Sequence, residues 1–267
     1  MNVYFREIRA HWKGFLGWSA AMMFTIISGM VKFEGYNTAP GQANISELLK
    51  TFPKPVMAIF GMSGLDVTKI IGYVGIMYLY IVLIAAIYAA LKGAEIISKE
   101  ERDKTSEFLY VKPISRARVL TEKILAALTF QAVFFAIIVA TNLWIVDYYN
   151  KGTSINGMVM TLMWGVLLFQ LISFSFGIFF AGILKNPKSP VAAVTTVVVA
   201  SYLLSVVIDV NNNLSFLKPL TPFQYFGAPK IIADGHLDPL YVALILALSV
   251  LLFVLTYVFY NKRDLSV

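Results

Sequence analysis

Residues 70–91 read Ile-Ile-Gly-Tyr-Val-Gly-Ile-Met-Tyr-Leu-Tyr-Ile-Val-Leu-Ile-Ala-Ala-Ile-Tyr-Ala-Ala-Leu, and the first charge after them is Lys92. A helix of about 20 mainly apolar residues crosses the roughly 30 Å of hydrocarbon in a bilayer. The run is continuous rather than alternating at period two, which excludes a barrel strand. Five more stretches have the same character, at about 14–31, 124–146, 158–184, 191–208 and 240–260, and none carries Asp, Glu, Lys, Arg or His in its interior. The 14–31 stretch is the weakest, because Ser19, Thr25 and Ser28 dilute it. The whole chain agrees: 267 residues, 58% hydrophobic and 14% charged, with a mean hydropathy of +0.73. A soluble domain is nearer 45–50% apolar and about 25% charged. The fold class is therefore an all-α integral membrane protein with six transmembrane helices.

Charge distribution orients the spans. Arg6, Arg9, Lys13, the cluster from Lys92 to Lys123, Lys185, Lys188, Lys262 and Arg263 fall on one side and hold 15 of the 22 basic residues. The positive-inside rule puts that side, and both termini, in the cytoplasm. No small-residue cleavage site follows a short apolar core, so no cleavable leader is expected. The net charge of +7 is thus read as topology rather than as nucleic-acid binding.

Three segments between spans carry information. Tyr4, Ile8 and Trp12 recur at helical spacing among Arg6, Arg9 and Lys13. That spacing predicts an N-terminal interfacial amphipathic helix, serving as an anchor or as a docking element. The outer connection 32–69 opens with polar and Gly/Pro residues, then turns amphipathic from Ile45 to Phe60, interrupted by Pro53 and Pro55. Short helices lying on the outer leaflet are expected there. The connection 209–239 mixes Asn211-Asn212-Asn213 with Phe216, Phe223, Tyr225 and Phe226. It is either an aromatic belt or a short re-entrant element.

The segment 93–123 forms a charged hairpin between the second and third spans. Glu95–Lys99 and Glu100–Lys104 have the i,i+4 spacing of an exposed helix. Phe108, Leu109 and Val111 add an apolar patch, Pro113 is expected to break the helix, and Ser115 can cap the next one. Two readings stand, a solvated turn or a docking surface for a cytoplasmic partner.

The chemistry-bearing patterns are missing from the chain. It has no cysteine, no Gly-x-x-x-x-Gly-Lys-Ser/Thr loop and no His-Glu-x-x-His. Its histidines, His11 and His236, fall on opposite sides of the membrane in this topology, so a metal site built from them is implausible. Ion-coupled transporters need intramembrane ionisable groups, and paired intramembrane aspartates would mark a protease. The polar groups within the spans are hydroxyls and amides, among them Gln131, Gln170 and Ser173, read either as glue between helices or as lining of a pathway. Uphill movement of any cargo would need energy from another chain.

The run 100–123, Glu-Glu-Arg-Asp-Lys-Thr-Ser-Glu-Phe-Leu-Tyr-Val-Lys-Pro-Ile-Ser-Arg-Ala-Arg-Val-Leu-Thr-Glu-Lys, resembles the cytoplasmic loop after the second span of type-2 ABC transporter permeases. Leu217-Lys-Pro-Leu-Thr-Pro-Phe-Gln-Tyr-Phe226 is similar to the element before their last span. The resemblance implies one permease domain over residues 1–267, with 93–123 as its coupling segment. It implies pairing with a second permease copy, as homodimer or heterodimer, and with two ABC ATPase subunits that bind the ATP and Mg. By the same resemblance Glu95, Glu100, Glu101, Lys104, Thr105, Glu107, Phe108 and Leu109 belong to the surface that docks the ATPase. A hydrophobic or amphipathic cargo, such as a peptide or antibiotic, suits charge-free spans. Ion or metal extrusion, or a membrane scaffold without transport, are the alternatives.

Overall fold

Each of the six apolar runs lies, to within one residue, inside a longer helix in the computed structural model, which describes residues 3–38, 51–105, 115–150 and 152–263. The long helices are α1 (Val3–Thr38), α3 (Ile70–Arg102), α4 (Arg116–Tyr149), α5 (Asn156–Ile183), α6 (Ser189–Val210) and α9 (Pro239–Lys262). All six are long and apolar enough to cross a membrane. Among the described residues there is no strand, as hydrocarbon requires: backbone polar groups must be satisfied within the segment itself. Shorter pieces are α2 (Lys54–Ile59), a 3-10 segment at Asn212–Leu220, α7 (Pro222–Tyr225) and α8 (Ala228–Asp234).

Local chemistry sets several boundaries. Ser115 Oγ accepts from Arg118 N at 3.3 Å and caps α4, as its position predicts. Asp238 Oδ1 accepts from Leu240 N at 3.1 Å and caps α9, where Pro239 takes the first turn. The Lys230 side chain, 3.0 Å from Asp238, holds that carboxyl below the ordinary carboxylate range.

Helices α3 and α5 form the centre of the bundle, and the reason is glycine. Gly93 and Gly177 face each other's backbones: a Cβ at Gly93 would stand 2.6 Å from the Phe174 carbonyl oxygen, and one at Gly177 would meet the Ala90 carbonyl and stand 2.9 Å from Ala94 N. Such close approach is what small residues allow where lipid supplies no hydrophobic drive. Around this pair, α1 packs on α4, α9 on α5, and α6 on α3. Burial falls from 61% of the apolar window of α5 to 22% of that of α9, so α9 is peripheral.

Two expectations are corrected here. The N-terminal residues do not form a separate interfacial helix: α1 is one unbroken helix of 36 residues, about 54 Å long. No proline or left-handed residue interrupts it near Gly14, and its first N–H groups are tied to α4, with Glu122 Oε2 accepting from Val3 N at 2.8 Å and Tyr4 N at 3.3 Å. The charged helix also does not run on to Pro113. It stops at Arg102, because Lys104 adopts φ 55°. Thr105 N then donates to Glu100 O at 2.8 Å and Lys104 N to Glu101 O at 3.4 Å, the Schellman arrangement with lysine where glycine is usual.

At the opposite end the connection 211–239 folds back onto α6. Thr221 Oγ1 donates to Ser201 O at 2.8 Å, and Gln224 Nε2 donates to Ser205 O at 2.9 Å and Asp209 Oδ1 at 2.8 Å. Ser201 lies nine residues before the end of α6, so the fold-back reaches about 14 Å along it. Tyr202 donates to the Ile59 carbonyl, holding α2 on the same face.

Candidate functional site

The basic ends of five long helices are joined by a buried set of charges, from which the chain leaves α3 and re-enters α4. Lys123 of α4 is 1% exposed and donates to Glu100 of α3 and to Ile96 O at 2.9 Å. Arg6 of α1 reaches the other oxygen of Glu100 at 2.6 Å and Glu7 at 2.6 Å. Arg263, just past α9, pairs with Glu101 and donates to Ala181 O at 3.0 Å and to the Leu184 carbonyl at the end of α5. Arg116 in turn donates to Arg263 O at 2.9 Å. Glutamates 100 and 101 thus tether α3 to α1, α4, α9 and α5. Removing one member of a buried pair strands the other charge, whereas exposed pairs contribute little.

This geometry redistributes the residues singled out in the sequence. Glu100 and Glu101 are 7% and 6% exposed and turn inward, so the expected Glu100–Lys104 pair does not form. Its physical cause is the left-handed Lys104, which lies outside the helix and off the i,i+4 register. Among the described residues Glu95 and Lys99 form no ion pair either. Lys104 and Thr105 are exposed and Glu95 is partly exposed. Glu107, Phe108 and Leu109 lie outside the described residues.

Of the polar groups inside the spans, Gln170 Nε2 donates to Gln131 Oε1 at 3.3 Å, tying α5 to α4 in a buried contact. Ser173 lines a separate, mainly apolar cavity of about 140 Å³ with Ser201, Phe169, Phe176 and Leu248.

The family described as ABC-2 family transporter protein matches residues 1–265, nearly the entire chain. The chain belongs to this family. It is therefore a multi-pass membrane protein and a permease subunit of an ABC transporter, a transport component rather than the ATPase. ABC-2 permeases work with ABC ATPase partners. No curated protein and no solved structure matches the chain.

The contacts of the charged tether fix the helix ends on both sides of the connection 103–115 to the bundle. Sequence reasoning missed Arg6, Glu7, Lys123 and Arg263 as members. A signal was present: Gly93, Ile96, Ile97, Glu100 and Glu101 follow one i, i+3, i+4, i+7, i+8 stripe, so the glutamates continue a buried face.

Proposed function

We propose that this chain is one permease half of an ATP-driven exporter, its basic end in the cytoplasm and its connection 103–115 docked on an ATPase subunit. The carrying observation is the anchoring of the helix ends on both sides of that connection, the α3 end by Glu100 with Lys123 and Glu101 with Arg263, the α4 end by Arg116 with the Arg263 carbonyl. The exposed Lys104 and Thr105 start the docking surface, partly exposed Glu95 flanks it, and Glu107, Phe108 and Leu109 continue it. Burying an aromatic or leucine side chain in an ATPase cleft is worth roughly 1.5–3 kcal/mol, so Phe108 and Leu109 supply affinity. Glu100 and Glu101 act from behind as anchors.

A second permease copy and a second ATPase complete the complex. Leu203 and Val207 of α6, with Val250 and Val254 of α9, are exposed apolar residues that a partner or lipid must cover. A hydrophobic or amphipathic cargo is supported by the charge-free spans and by the apolar cavity at Ser173, which has two serines and Tyr225 among mainly apolar and aromatic walls. Gln131 and Gln170, paired with each other between α4 and α5 and away from that cavity, are the remaining candidate polar groups of a pathway.

Orientation is tested by cysteine labelling, for which a chain without native cysteine is suited. In intact cells a membrane-impermeant maleimide should label Asn213→Cys and spare Thr105→Cys, both being exposed positions. Labelling of Thr105→Cys from outside would overturn the orientation.

A further inference from the structure

Lys92 is a buried cation outside the tether. It is 6% exposed and forms no ion pair among the described residues, whereas the buried Lys123 and Arg263 each take a glutamate. Its ammonium lies 4.9 Å from the centroid of the Phe130 ring and 6.0 Å from that of Tyr88. Ring faces offset only part of the loss of water around an ammonium. Tyr88 adds a second unmet group, a buried hydroxyl with no hydrogen-bond partner among the described residues.

Both residues line a cavity of about 190 Å³ between α1 and α3, together with His11, Trp18, Glu95 and Gly14. Gly14 and the neighbouring Ala10 are exposed, so small residues edge the cavity on the α1 side. Its depth is set by the sequence. The apolar run of α3 ends at Leu91 after 22 residues, about 33 Å of helix, which matches the hydrocarbon thickness. Lys92 therefore stands at the level where lipid phosphates begin, and Trp18 has the amphipathic ring common at that level.

An anion answers Lys92 and the Tyr88 hydroxyl, but Glu95 on the same cavity opposes a ligand that is only anionic. A group carrying phosphate and a primary ammonium meets all three. We propose that the α1–α3 cavity binds the phosphoethanolamine headgroup of a membrane lipid, with the phosphate on Lys92 and Tyr88 and the ammonium toward Glu95. Glu95 also flanks the proposed docking surface, but lipid binding needs no ATPase and is read on the purified permease alone.

The test titrates delipidated, purified protein with phosphatidylethanolamine or phosphatidylglycerol and counts bound lipid by native mass spectrometry, in the presence and absence of millimolar inorganic phosphate. Phosphatidylethanolamine should bind in preference to phosphatidylglycerol, and inorganic phosphate should not displace it. Lys92→Gln should weaken its binding by about tenfold, and Lys92→Arg should restore much of it. Tyr88→Phe should lower binding more modestly, Glu95→Gln should erase the preference between the two lipids, and the exposed Lys188→Gln should change nothing. Melting curves of each variant separate loss of the site from loss of fold. Undiminished phosphatidylethanolamine binding by a folded Lys92→Gln, or a wild-type preference for phosphatidylglycerol, would overturn the proposal. Displacement by inorganic phosphate would reassign the site to a free anion and overturn the lipid as its source.

Discussion

Glu100→Ala is expected to destabilise the protein by about 3–5 kcal/mol, the usual penalty for breaking a buried charge pair from one side. The reason is the partner left behind. Lys123 is 1% exposed, and without Glu100 its ammonium keeps one hydrogen bond, to the Ile96 carbonyl, and the more distant charge of Glu7. Arg6 loses its reach across to α3 in the same change, retaining Glu7. Reversible denaturation in detergent micelles reads the effect directly. Replacing both partners, as Glu100→Leu with Lys123→Met, should recover most of the stability, since an apolar pair of similar volume often equals or exceeds a buried ion pair. The double variant should nonetheless couple poorly to ATP hydrolysis, because α1 is no longer tied to α3 through Arg6. Lys104→Ala, at an exposed position beyond the helix, should leave stability unchanged within error. Equal losses for the single and double variants would remove the charge pair as the cause.

The second large effect concerns the contact between α3 and α5. Gly177→Ala should destabilise by about 1–3 kcal/mol or more, because the added Cβ meets the Ala90 carbonyl and Ala94 N, which cannot rotate away as a side chain can. Relief requires the two central helices to move apart, which loosens the packing of every helix resting on them. Gly17→Ala, in the interior of α1, reverses the sign. Its Cβ has no heavy atom within 4 Å, and alanine is the better helix former by roughly 0.5–1 kcal/mol. Paired unfolding measurements on the two variants therefore test packing against propensity with the same chemical change. A neutral Gly177→Ala would mean that α3 and α5 do not touch backbone to backbone.

The spans were legible because hydrocarbon imposes a simple rule: about 20 residues without charge, repeated six times, leave little choice of architecture. The ends were less so. Nothing in Asp103-Lys104-Thr105 marks a helix stop, since the left-handed position is occupied by lysine where glycine would have announced it. Glu100 and Lys104 have the spacing of a surface pair, and only the continuation of the Ile96–Ile97 stripe betrays that Glu100 is inside. The partners of Glu100 and Glu101, Arg6, Lys123 and Arg263, are 94, 23 and 162 residues away, distances at which periodicity carries no information. Residues 1–13 are amphipathic enough for an interfacial helix, yet tertiary bonds from Glu122 draw their start onto α4 and keep α1 unbroken. Gln131 and Gln170 were legible as a pair only in type; that they meet each other while Ser173 faces another cavity depends on helix rotation, which composition does not encode.

The central claim is that the connection leaving the buried charges at Arg102 receives the ATPase. Site-specific cross-linking in cells expressing the permease with its ATPase tests it most directly, with a photoreactive maleimide on Thr105→Cys and, as the control at the opposite end, on Asn213→Cys. The account predicts an ATP-dependent cross-link from position 105 to the ATPase subunit and none from position 213. A cross-link from 213, or none from 105 while the complex still co-purifies, would contradict it.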